Sequence, residues 1–419
     1  MKRLVFYSLV LFTFSLFVSP SFAQAQQYIT LGVPSSLKLL EPYESNKCVQ
    51  LAVEEINAKG GVTVGKEKML FRVEALDTRD GEPGVPVSEA LLGIEKLILD
   101  KKVYAVVVGT LRSEALLAAM DIYAKYKVIN INTIAMTPKF QQKVLSDKEK
   151  YKYSFRNSTD ANYSLDSFKG MMKHIQKEFG YNKVFIATQD VLWTNTIGSL
   201  MEKWFKDNGW TVLGFDHFPT GAADFSSLFL KAKTMNAQVI MPIFDMATSG
   251  VLVKQWKSMR VPALMAGYIS PLVGSKAWKV FGSDIEGSLN VVFEIGYFPI
   301  KAYPPSVKFS AAYAKRYKED VQSSHGAAPA YDAVYVLAKA IEKAGTLDSD
   351  KVVRAIEETD MAGVIGRIRF DNDHKLIMGN DPKTAACGGV LQWQKGGKMA
   401  LVWPESISEG KIQKPSWMK

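Results

Sequence analysis

The sequence predicts an α/β protein of two Rossmann-like lobes, each built on a central, mainly parallel sheet, and three observations carry that prediction. Strand-like and helix-like stretches alternate along most of the chain, the order that gives parallel sheets covered by helices. The run LAVEEINAKGG, Leu51 to Gly61, sets an amphipathic helix ending in paired glycines between two strand signals. With 419 residues the chain also exceeds a comfortable single core, which makes two lobes the default.

Tyr28 to Pro34 reads as the first strand. In the helix around Leu51, Val49, Ala52, Val53 and Ile56 share one face while Glu54, Glu55 and Asn57 share the other. Gly60 ends that helix, because a left-handed cap costs glycine almost nothing. Met69 to Leu76 is the next strand, Glu89 to Leu99 a helix, and Tyr104 to Gly109 a β-branched run suited to a buried parallel strand. The helix Ser113 to Tyr126 and the strand Val128 to Asn132 complete this series. After a polar region, in which SFRNSTD from Ser154 reads as the crossing between lobes, the alternation restarts. It runs through helix Tyr163 to Phe179, strand Val184 to Thr188, helix Thr196 to Asn208 and strand Thr211 to Phe218. Helix Phe225 to Met235, strand Gln238 to Phe244, helix Ser249 to Met259 and strand Ala263 to Ala266 extend it. Leu289 to Tyr297 is a further strand, and helices follow at Ser306 to Tyr317, Ala330 to Ala344 and Ser349 to Glu358.

The amino terminus indicates where the protein works. Lys2 and Arg3 precede an apolar stretch from Leu4 to Val18, followed by the small residues Ser21, Ala23 and Ala25, the layout of a cleaved export signal over residues 1–25. The apolar run is shorter than the ~20 residues of a membrane-spanning helix. No cysteine stands at the cleavage region to carry a lipid, so a soluble periplasmic protein is expected. The net charge is +10, with Lys2 and Arg3 contributing two of those charges, and the rest is scattered in Lys-Glu mixtures such as DKEKYK. No arginine-rich block suggests nucleic acid. Cys48 and Cys387 are expected to be two separate buried thiols, although an exported protein would allow a bridge.

Sequence support for catalysis is thin. GVPSSLKLLEP after the first strand lacks the dinucleotide fingerprint, GGVTVGKEK lacks the phosphate-loop spacing, and no nucleophile elbow occurs. His174, His217, His325 and His374 stand apart from metal-ligand or triad partners and read as structural or surface residues. No enzyme activity, metal or cofactor is implied. A binding site is expected instead beyond the carboxyl ends of the strands. There, Ser113 opens a helix and either holds a carboxylate or simply caps that helix, while Arg112 either adds a charged contact or faces solvent. Tyr43 and Trp193 follow strands and either sandwich an apolar ligand body or pack.

These features join in one resemblance. LGVPSS, LAVEEINAKGG, EKLILDKKVYAVVVG, GTLRSEALLAAM, ININTIAMTP, SFRNSTD, FPTGAADFSSLFLKAK, AAYAKRY, APAYDAVYVLAKAIEKAG and GVIGRIRFDNDH follow one another along the chain. In this order and spacing the chain resembles the type I periplasmic substrate-binding proteins of ABC importers, in particular the leucine/isoleucine/valine-binding branch. The resemblance implies a monomer that closes two lobes around a small solute and presents it to the permease subunits in the membrane. It also implies three crossovers, near Arg156, Val292 and Asp381, giving lobes of residues 26–156 plus 293–380 and 157–292 plus 381–419.

The resemblance carries ligand roles onto individual residues. Ser113 matches a serine that holds an amino-acid carboxylate, and Trp193 an aromatic that packs over the ligand. Ile134 and Met136 stand where the family uses an alanine carbonyl and a threonine; Ile134 retains its carbonyl, whereas Met136 offers no hydroxyl. The family's ammonium-binding glutamate falls near Ile269, where no acid stands. Either Asp245, Glu41 or Glu294 replaces it, Asp245 being preferred, or the ligand is an aromatic or aliphatic carboxylate without an amine. Asp245 reads equally as a helix cap, and Tyr268 either supplies a hydroxyl or is structural. A ligand-sensing component of a signalling complex is the alternative function.

Overall fold

The computed structural model describes residues 27–82 and 84–418; the expected export signal lies outside them. The first lobe begins with β1 (Tyr28–Ser35), α1 (Leu40–Ala58), β2 (Val62–Val64), β3 (Glu67–Asp77) and α2 (Val87–Leu99). It continues with β4 (Ala105–Val108), α3 (Ser113–Tyr126), β5 (Ile129–Asn132), α4 (Lys139–Ser146), α5 (Lys148–Tyr151) and β6 (Ser154–Arg156). Its sheet has six strands in the order β2-β3-β1-β4-β5-β6, parallel throughout except for the β2-β3 hairpin. Ala105–Val108 is buried at every position, as a strand covered on both faces must be. At the end of α1, Gly60 and Gly61 have φ of +92° and +82°. A Cβ on Gly61 would stand 2.1 Å from the Met69 carbonyl oxygen, so the second glycine admits β3 against the helix end.

The second lobe contains α6 (Ala161–Phe179), β7 (Lys183–Gln189), α7 (Leu192–Asp207), β8 (Thr211–Phe218), α8 (Ser226–Thr234), β9 (Val239–Phe244) and α9 (Val251–Ser258). β10 (Leu264–Ile269), α10 (Ala277–Phe281) and β11 (Leu289–Val292) follow. The chain then returns to the first lobe. There α11 (Pro304–Tyr317), α12 (Ala327–Ala344) and α13 (Ser349–Glu357) pack in one core with β1, β4 and β5. A small four-stranded sheet contains β12 (Met361–Gly363), β13 (Gly366–Ile368), β14 (Met378–Gly379) and β15 (Ala386–Cys387). Finally β16 (Gly389–Gln394) and β17 (Lys398–Trp403) add an antiparallel edge to the second sheet, whose seven strands run β17-β16-β11-β10-β9-β7-β8.

Three passages therefore connect the second sheet to the rest of the chain, and they touch one another. The first leaves β6 through Asn157–Asp160, the second leaves β11 through Phe293, and the third runs through Gly388 between β15 and β16. Thr159 N donates to Glu294 Oε1 at 2.9 Å, and Ile295 N donates to the Cys387 carbonyl at 2.9 Å. A Cβ on Gly388 would lie 2.9 Å from the Phe293 carbonyl oxygen, so glycine permits the second and third passages to run side by side.

Some elements differ from expectation for physical reasons. The strand expected over Leu289–Tyr297 stops at Val292, because the apolar residues beyond it, Ile295 and Tyr297, serve the first core instead of a strand. Part of SFRNSTD, Ser154–Arg156, is strand β6 and only its remainder crosses. β12–β15 have two or three residues each and show no period, while the six-residue strands β16 and β17 were not expected. Cys48 and Cys387 are separate, buried thiols, and burial pushes both up out of the reactive range. Among the described residues no helix is long and apolar enough to cross a membrane.

Candidate functional site

In open α/β sheets the loops beyond the carboxyl ends of the strands are where ligands bind. Beyond β4 the backbone is strained: Val108 has φ of +72°, rare for a β-branched residue, and Gly109 has +74°. The turn leads into α3, whose start is held by the fully buried Asp80. That carboxylate accepts from Arg112 N at 2.8 Å, Ser36 Oγ at 3.0 Å and Thr78 Oγ1 at 2.6 Å. It thus ties the loops after β1, β3 and β4 together and places negative charge at a helix N-terminus, where the dipole favours it.

The first-lobe candidates have separate fates. Arg112, not Ser113, takes the cap position of α3 without a side-chain cap bond, which removes the plain-cap reading of Ser113. Ser113 is half-buried, and its hydroxyl has no hydrogen bond among the described residues. The Arg112 guanidinium reaches the Val85 carbonyl at 3.1 Å and Glu114 at 3.9 Å, so scaffold contacts engage it. Ile134 is buried, and its carbonyl accepts from His325 Nε2 at 2.7 Å. Met136 is half-buried and packs against the second lobe's core, an apolar bridge between lobes. Glu41 lies in the first turn of α1, and Tyr43 is exposed with Lys47 Nζ 5.0 Å from its ring centre.

On the second lobe three candidates meet. Trp193, in the first turn of α7, donates from Nε1 to Asp245 Oδ2 at 2.7 Å, and its ring stands edge-on to Tyr268 with centroids 6.0 Å apart. Tyr268 lies on β10 and packs at 4.8 Å against Phe293. Burial holds the Tyr268 phenol well above its ordinary range, and the charge of Glu41, then those of Asp245 and Glu294, add to the effect. Asp245 is exposed and caps no helix; Gln189 Oε1 accepts from its N–H at 3.1 Å.

Glu294 has a different setting. It is buried and accepts from Thr159 N at 2.9 Å, Gly326 N at 3.4 Å and His325 Nδ1 at 3.1 Å. Its oxygens are thus engaged by the first passage and by the segment before α12. Burial opposes charge on His325, but Glu294, the Ile134 carbonyl and Glu41 outweigh it and raise its proton affinity. Asp80 was missed by pattern reasoning, since an isolated Asp in a loop carries no periodic signal, whereas His325, read as structural or surface, is buried and hydrogen-bonded. Among the remaining histidines, His374 stacks on Phe155 with centroids 4.2 Å apart, and His174 lies beside Glu178 and Glu405. Surface hollows of about 530, 570 and 800 Å³ lie elsewhere and contain none of the candidate residues. Among the described residues no group of three or more His, Cys, Asp or Glu side chains could hold a metal.

Comparison with known proteins agrees with this architecture. Leu/Ile/Val-binding protein homolog 7 of Brucella suis biovar 1 (strain 1330) is 24% identical over 387 residues, covering 89% of this chain and 90% of that protein. A Silicibacter pomeroyi structure assigned to branched-chain amino acid ABC transport superposes with a TM-score of 0.79 at 19% identity, covering 94% of this chain and 100% of that one. The branched-chain amino acid transporter substrate binding protein of Streptococcus pneumoniae, in complex with isoleucine, gives 0.68 at 21% identity, covering 93% and 100%. These likenesses are to binding proteins and not to catalysts. The sequence profile of the periplasmic binding proteins matches residues 43–398, and the chain belongs to that family.

Proposed function

We propose that the protein is the exported, soluble substrate-binding component of an ABC importer, which captures a small amino acid between its lobes and delivers it to membrane permease subunits. The observation that carries this reading is the meeting of Trp193, Asp245 and Tyr268 on the second lobe. A solute touching both walls would favour the closed arrangement by its additional contacts there. The lobes are then residues 26–156 with 293–387, and 157–292 with 389–419, hinged at the three passages. We assign the solute's ammonium to Asp245 with Glu41, and its carboxylate to Ser113 and the start of α3. Glu294 is set aside as an ammonium ligand, because its oxygens already accept from the hinge. The relatives' names and the isoleucine complex of the pneumococcal protein support an aliphatic amino acid.

Calorimetric titration with L-leucine, L-isoleucine, L-valine and L-phenylalanine, beside isocaproate and benzoate, tests this. Binding of at least one amino acid, with the amine-free acids much weaker, is expected. Equal or tighter binding of the amine-free acids would overturn the amino-acid assignment, and small-angle scattering unchanged by every compound would overturn capture itself.

A further inference from the structure

His325 sits where the binding loops meet the hinge. It precedes α12, is buried, and both of its ring nitrogens face acceptors: Nε2 the Ile134 carbonyl at 2.7 Å, Nδ1 the Glu294 carboxylate at 3.1 Å. A neutral imidazole carries one N–H and would turn a lone pair toward one of these oxygens; an imidazolium donates to both. The two partners belong to different parts of the machine. Ile134 lies in the loop after β5, and Glu294 lies in the second passage, where it also receives Thr159 N of the first. The Phe293 ring meets His325 edge-on at 5.5 Å and packs against Tyr268 at 4.8 Å, so the contacts continue to the second-lobe wall.

We propose that His325 positions the ligand loop Thr133–Pro138 against the second passage as a doubly donating imidazolium, so that solute capture weakens as that proton is lost.

The charged surroundings favour that form. From the passage, Glu294 faces the ring directly. From α1, Glu41 adds negative charge, and Glu44 holds the preceding segment by accepting from Gln322 N at 3.0 Å and Ser323 N at 2.7 Å. Ser323 Oγ in turn donates to the His325 carbonyl at 2.7 Å. Neither the loop Thr133–Pro138 nor the stretch Asn157–Thr159 carries an ionisable side chain to oppose the proton. A close fit enforces the arrangement, since a Cβ on Gly326 would meet Ile134 Cγ1 at 2.9 Å and Ser45 Oγ at 3.0 Å.

The ligand measurement rests on the capture reading above, so the test has two arms. In the ligand-free protein, nitrogen NMR of labelled histidine should find both His325 nitrogens protonated at neutral pH, with the amides of residues 133–137 shifting as the ring titrates. A neutral ring there, or loop amides that ignore its titration, would overturn the proposal whatever the ligand. In the second arm, affinity for L-isoleucine should be highest on the acid side and fall about tenfold per pH unit once the ring loses its proton. Glu294→Gln should move that fall to lower pH, and His325→Gln should bind more weakly with a flat profile. An unmoved midpoint in Glu294→Gln, or an unchanged profile in His325→Gln, contradicts the positioning role. If isoleucine is not bound at any pH, the amino-acid reading fails, and the first arm alone decides for or against His325.

Discussion

At Trp193 the indole N–H occupies Asp245 Oδ2, leaving Oδ1 of this exposed side chain without a hydrogen bond among the described residues. Glu294 is the reverse case: its carboxylate accepts from Thr159, His325 and Gly326. The two acids, of which the sequence reading preferred Asp245, are thus separated by their hydrogen bonds. Replacing Asp245 with Asn removes one charged hydrogen bond to an ammonium, an effect of about 1.5–3 kcal/mol. Amino-acid affinity should then fall about 10- to 100-fold by calorimetry, with little change in melting temperature because the side chain is exposed. A variant that binds as the wild type does would remove Asp245 from the site.

Among the elements, α3 depends on a residue outside itself. Its N-terminus lacks a side-chain cap from its own sequence, and Asp80 supplies the missing acceptor from the loop after β3. Asp80→Asn keeps the shape but loses the charge and turns one oxygen into a donor facing buried donors. Stability should drop by about 1–3 kcal/mol in denaturant unfolding, and solute affinity should weaken along with it, because Ser113 is carried on the same helix turn. An unfolding midpoint within error of the wild type would show that the three loops are held by other contacts. The helices were readable at this scale: Ser113–Tyr126 has the expected bounds, and the expected face of α1 is the buried one. Strand β15 was not, since two residues, Ala386 and Cys387, cannot display a period.

For the whole molecule, buried carboxylates set the response to pH. Burial pushes Glu44 up to about 7 against the lowering influence of its bonds from Ser323 and Gln322, and pushes Asp332 up to about 7 against those from Val364 and Ile365. In both cases the folded state holds a proton that the unfolded chain, at 4.5 or 3.8, has released. The folded state therefore binds more protons between those values and about 7, and stability declines as pH rises through that window. His325 acts in the same direction: its raised proton affinity adds stability that is present below the ordinary histidine value of 6.5 and lost above it. Asp121 acts oppositely at acid pH, since, although burial raises it, bonds from Lys143, Lys150 and Tyr151 hold it at about 2. Its contribution is present above 3.8 and fades as pH falls toward 2. Thermal unfolding should be highest near pH 5 and lower by about 2 °C or more at pH 8, and Glu44→Gln should flatten that slope. A midpoint that rises from pH 5 to pH 8 would contradict this assignment.

The amino-acid order alone determined the α/β class, most helices and the long strands, because hydrophobic period and glycine punctuation act over a few neighbouring residues. Trp193 was a candidate from its place after a strand, whereas Asp245 and Tyr268 became candidates only through the family resemblance. Only the tertiary structure decided which acids are free, that Asp80 anchors α3 and that His325 bridges Ile134 to Glu294, 191 and 31 residues away along the chain. Such pairings depend on desolvation and on contacts between distant segments. Local sequence encodes neither; both arise when the passages between the sheets bring those segments together.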